Sequence, residues 1–153
     1  MGRDVVIAVH VNGVDADAYS DGVERAVRHT LLEEGVADAE VSVTFLGDEA
    51  IRRLNADYLS HDWPTDVLSF ALHGPGEPVL ADLYIGVDRG RAQARDRAIP
   101  ALQEMVRLAV HGTLHAVGYE HPDSELERER SEFFAKQERV VALVMNDLSL
   151  ERD

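Results

Sequence analysis

Between Leu108 and Val117 the chain reads LAVHGTLHAV, and at helical pitch Leu108, Ala109, Val110, Leu114, Ala116 and Val117 leave almost no polar face. A helix that is apolar nearly all round must be enclosed by other elements. The fold therefore has to supply cover on every side of this segment, and the same helix carries His111 and His115, two imidazoles that are costly to bury unless something engages them.

The residues before it supply a sheet. Asp4 to Val11 is rich in β-branched residues and predicts a strand. A helix follows from about Asp21, with Val23, Val27 and Leu31 on one face and Gly35 as its stop. Glu40 to Leu46 alternates apolar and polar, with Val41, Val43 and Phe45 pointing one way. Asp48 is the expected N-cap of a short helix burying Ile51, Leu54 and Tyr58. After a turn at His61 to Pro64 come a third strand, Asp66 to Leu72, a loop at Gly74 to Pro78, and a fourth strand, Leu80 to Val87. The link between the last two is short, so they should pair antiparallel. Asp88 is expected to cap a helix reaching about Ala98, and Pro100 suits the first turn of the next, which ends at Gly118. Ser124 and Glu127 form a capping-box pattern before a last helix that buries Phe133, Phe134, Val140, Val141 and Val144. The order β-α-β-α-β-β-α-α-α implies an α+β fold in one domain, residues 1–153. A mixed four-stranded sheet packs against about five helices, with a metal site at the end of a central helix.

Composition narrows the chemistry. The chain has no cysteine, which removes disulfides, thiolate ligands and thiol nucleophiles together. Any metal must sit on imidazole and carboxylate. No apolar run approaches the roughly 20 residues needed to span a bilayer, and the N-terminal stretch suits a strand better than a signal peptide; a soluble, cytoplasmic protein is expected. The formal charge of −14 opposes nonspecific attraction to nucleic acid. Fourteen of the fifteen cations are arginine, Lys136 being the only lysine. Such an acidic, lysine-poor surface also suits a salty cytoplasm, where repulsion is screened.

His111 and His115 stand one helical turn apart on one face. Gly118, three residues on, lets the chain turn back, and that turn brings His121 to the same point. Three neutral imidazoles suit one zinc ion and leave a fourth position open, as catalytic sites do. The spacing is that of the zinc-protease motif H-E-x-x-H-x-x-G-x-x-H, except that Gly112 replaces the glutamate base. Without that carboxylate, amide hydrolysis lacks its usual proton acceptor.

The string HGTLHAVGYEH resembles the H-G-x-L-H-x-x-G-Y-[DE]-H signature of the YbeY family of zinc-dependent, single-strand-specific endoribonucleases. A second stretch agrees with it: Leu54-Asn55, Tyr58, then Pro64-Thr65-Asp66-Val67-Leu68-Ser69-Phe70. The resemblance implies one Zn2+ per chain on His111, His115 and His121. It also implies hydrolysis of phosphodiester bonds in single-stranded RNA, maturation of the 3′ end of small-subunit ribosomal RNA, and partnership with the small ribosomal subunit. Zinc lowers the pKa of bound water to about 7, so a separate base is dispensable, and Glu120 or Asp123 is a candidate proton relay. Asp66 and Asp82 are candidate acceptors for a ligand imidazole's free N–H, while Ser69 reads as a buried hydroxyl bonded to backbone. His10, His29, His61 and His73 read as surface or strand residues.

Three positions depart from the family pattern: Glu120 where aspartate is usual, Ala81 before Asp82 in place of glycine, and Leu59 where an arginine follows the tyrosine. The arginine's substitutes would be Arg52 or His61, and Arg52, Arg53, Arg89, Arg91 and Arg95 are candidates for phosphate contacts. Two further readings stay open, a noncatalytic ribosome-assembly factor stapled by zinc and a protease lacking its base.

Overall fold

In the computed structural model, which describes residues 4–118 and 127–151, the chain runs β1 (Val6–Gly13), α1 (Ala16–Glu33), β2 (Asp38–Leu46), α2 (Asp48–Leu59), β3 (Val67–Ala71), β4 (Val79–Gly86), α3 (Val87–Arg97), α4 (Ala101–Ala116) and α5 (Glu127–Glu151). Ser124, half of the expected capping box, lies outside the described residues. The sheet order is β1-β2-β4-β3. β2 pairs parallel with both neighbours, Val9 opposite Val41 and Val43 opposite Leu83. β1 and β3 are the edge strands, and β3 pairs antiparallel with β4, Ser69 opposite Leu83. The short Gly74 to Pro78 link dictates that direction, as the sequence implied.

Strand alternation then sorts the faces. Val41, Val43, Phe45, Ala81, Leu83 and Ile85 are buried, and α1, α4 and α5 pack together over them. α4 is the enclosed helix that its composition demands: Val106, Ala109, Val110 and Leu114 are fully buried. On the opposite face α2 crosses the sheet, its Leu54 and Tyr58 sharing a pocket with Phe70, Leu72, Asp82 and Tyr84.

Several expectations need correction. α1 begins at Ala16, not near Asp21, because Tyr19 and Gly22 also lie against the core. Gly47, not Asp48, caps α2, and Gly86, not Asp88, precedes α3. The Asp88 carboxylate instead accepts the Asp48 backbone N–H at 2.9 Å, so it caps the neighbouring helix from across the fold. Tyr58 is 69% exposed: its ring meets Phe70 edge-on at 5.8 Å and the rest of the side chain stays open. Phe134 is 43% exposed and Phe133 buried, since adjacent helical residues point about 100° apart and one face cannot hold both.

Candidate metal centre

α4 delivers His111 and His115 half-buried at its C-terminal end, their Nε2 atoms 3.1 Å apart. Both rings pack on Phe133 of α5, with centroids at 5.1 and 5.4 Å. One turn further along α5, Gln137 is only 4% exposed and its Oε1 lies 2.7 Å from His111 Nδ1. The amide's orientation is set from its other end, where Nε2 donates to Glu138 Oε2 at 3.0 Å. A carbonyl oxygen only accepts, so His111 carries its proton on Nδ1 and turns a lone pair on Nε2 toward His115. Glu138 in turn receives both Arg107 Nε and Nη2 at 2.9 and 2.7 Å. That ion pair first, and the Gln137 bond after the cost of burial, hold its carboxyl below the ordinary value.

The imidazoles open into a groove of about 480 Å³ lined by Asn55, Leu59, His61, Trp63 and Thr65 to Ser69 along with α4. Gly112 explains how α4 comes so near β3. A Cβ there would meet Val67 and Leu83 side chains at 3.2 and 3.3 Å, and the Ser69 hydroxyl donates to Gly112 O at 2.9 Å. Ser69 is thus the backbone-bonded hydroxyl the sequence implied. At the helix end Gly118 takes φ +106°, the left-handed region in which a side chain is strained, while its N–H returns to His115 O.

The other expected site residues separate. Asp66 lies on the groove wall, one carboxylate oxygen accepting Gln93 Nε2 at 3.1 Å. Asp82 alternates with Leu83, which faces α4, and so sits on the far face of the sheet. The acceptor for His111 Nδ1 is neither of them but Gln137. Its signal was present in the sequence as a lone polar side chain in the stripe Phe133, Val140, Val144. His121, Glu120 and Asp123 lie outside the described residues, and among the described residues no cluster of three or more metal-binding side chains forms. Of the remaining histidines, His61 is exposed, as expected of a surface residue, and also lines the groove. Arg52 pairs with Glu49 and Asp62, Arg53 with Glu49, and Arg91 with Asp15, so these cations serve nearby acids.

The two described imidazoles are spaced as ligands of one zinc ion would be. Two nitrogens on one tetrahedral zinc, each at about 2.0–2.1 Å, would stand roughly 3.3 Å apart, close to the observed separation. The orienting amide behind His111 is the kind of partner that fixes a ligand's tautomer.

Residues 7–144 match the family model described as Endoribonuclease YbeY. The chain belongs to the YbeY family. Relatives named Endoribonuclease YbeY include one from Bacillus velezensis, 42% identical over 88% of this chain and 91% of its own. Another, from Bacillus subtilis, is 40% identical over 78% and 82%. The solution structure of TM1509 from Thermotoga maritima shares the fold, with a TM-score of 0.69 at 23% identity over 94% of this chain and 93% of that one. Among the described residues, the departure from the family pattern that lines this groove is Leu59, an apolar side chain.

Proposed function

We propose that this chain is a zinc-dependent endoribonuclease of single-stranded RNA, cytoplasmic and of one domain, that matures the 3′ end of small-subunit ribosomal RNA and acts in ribosome quality control. One Zn2+ per chain is assigned to His111, His115 and His121. The observation that carries this reading is the meeting of His111 and His115 Nε2 at 3.1 Å on a groove wall, with Gln137 fixing the tautomer, in a YbeY-family chain.

Bound there, the ion supplies a Lewis acid that activates water near neutral pH and stabilises charge building on phosphorus. The chain's own residues do the rest. Gln137 keeps the His111 proton away from the ligand face, Phe133 seats both rings, and Asp66 on the wall and Glu120 beside His121 are assigned to proton relay or ligand orientation. Asp82, on the far face of the sheet, leaves that set. No helix of the described residues is long and apolar enough to cross a membrane.

Leu59 favours one rival, a noncatalytic assembly factor whose zinc only staples the helices. Metal content and melting temperature do not separate the two; cleavage does. Purified protein and His115→Ala are compared on a single-stranded RNA, with bound metal measured in both. The expected result is cutting by the former alone, with metal lost from the variant. Equal cutting by both preparations attributes the activity to a contaminant and overturns the enzyme reading.

A further inference from the structure

Trp63 is 54% exposed, although an indole is among the largest apolar surfaces a chain can cover. It stands on the wall of the groove that holds His111 and His115. The His61 ring lies over it, nearly parallel at 9° and with centroids 4.7 Å apart. One face is therefore covered by a neighbour while more than half of the side chain stays open.

The presentation is built. Asn55 is only 2% exposed, and its Nδ2 donates to Trp63 O at 3.0 Å. The Asn55 backbone oxygen accepts His61 N–H at 3.2 Å. Arg89 Nη2 reaches Pro64 O at 3.3 Å. Three bonds thus pin the backbone at 61, 63 and 64, and a buried amide is committed to holding an exposed indole in place.

Charge argues for what this surface takes. The chain is −14 overall, Arg52 and Arg53 of α2 are paired with acids, and Arg89 is the cation placed beside this wall, at Pro64 O. With so few cations to neutralise phosphate, a polyanion gains from a grip through something uncharged. A flat aromatic face grips any nucleobase that is free to leave its own stack. A base inside a duplex is stacked on both sides and cannot use it.

We propose that Trp63, backed by His61, is the stacking platform for an unpaired nucleobase beside the scissile phosphate, and that preference for single strands resides in it. This rests on the nuclease reading above. It makes Trp63 a substrate-binding residue that leaves the metal alone.

Trp63 is the chain's only tryptophan, so its emission reports on this position by itself. Zinc-loaded protein is titrated with a dye-labelled single-stranded oligoadenylate and with the same strand annealed to oligouridylate. Indole emission reads stacking and dye anisotropy reads binding. The single strand should quench the indole and the duplex should not. Trp63→Ala should weaken single-strand affinity about 5- to 150-fold and raise KM with kcat nearly kept, at unchanged zinc content, with Trp63→Phe recovering most of the loss. Binding with unaltered indole emission, or equal quenching by the duplex, overturns the proposal and leaves the nuclease reading standing. An oligoadenylate that does not bind the unmodified protein at all, together with an absence of cleavage, overturns both. The indole signal of the unmodified protein needs no variant to fold.

Discussion

Gln137 is an uncharged amide, so what it gives His111 is direction, not charge. Replacing it with leucine keeps the volume and removes the acceptor, leaving the imidazole free to put its proton on either nitrogen. Gln137→Leu should weaken zinc binding about 10- to 100-fold, measured by competition with a chromophoric chelator. Affinity unchanged in Gln137→Leu would show that the tautomer is set elsewhere. Gly112 acts by what it lacks. Gly112→Ala gains about 1 kcal/mol of helix propensity but makes Val67 and Leu83 yield, at about 1–3 kcal/mol. The net loss should be on the order of 1 kcal/mol, a drop in Tm of about 2–4 °C. A higher Tm would mean that β3 gives way freely. The two histidines were legible in the sequence because spacing alone puts i and i+4 on one face. Gln137 was not, because its meaning depends on a contact from 26 residues away.

At the scale of elements, the joints lie where local signals misled. Asp88 looks like a cap for its own helix and caps α2 instead. Asp88→Ala should cost about 1 kcal/mol, seen as faster amide exchange in the first turn of α2 and not of α3. The α4–α5 joint adds an ionic link to its apolar packing: Arg107 pairs with Glu104 of its own helix, itself 1% exposed, and with Glu138 of α5. Glu138's folded pKa lies below its ordinary value near 4.5. A depressed carboxyl contributes stability that is complete above the unfolded value and fades as pH falls through the folded one. The Tm advantage of the unmodified protein over Glu138→Gln should accordingly hold at neutral pH and shrink below pH 4.5. A gap that widens on acidification would reverse the sign. The strands were readable from alternation to within about two residues, and α2 and α5 were readable as helices. Which of their aromatics lay inside was not, since Tyr58 and Phe134 satisfy the same apolar pattern as buried residues and only the packing of neighbouring elements decides.

Across the whole molecule, a surplus of fourteen negative charges acts on every part at once. Mutual repulsion is reduced as added salt shortens the screening length, so Tm should climb between low and molar sodium chloride. A flat or falling curve would show that the carboxylates are already balanced by local ion pairs. The mixed four-stranded sheet, its antiparallel β3-β4 pair and the enclosing helices follow from pattern and connection length; the order β1-β2-β4-β3 does not, and the groove exists only because α2, the 61–66 turn, β3 and α4 converge there. No single stretch of chain displays it. α5 adds a matter of timing. Synthesis runs from the N-terminus, so the two imidazoles emerge well before the amide that aims one of them. A half-made chain therefore holds the pair of rings without the partner that orients one of them, and the site is finished only by the last helix to be made.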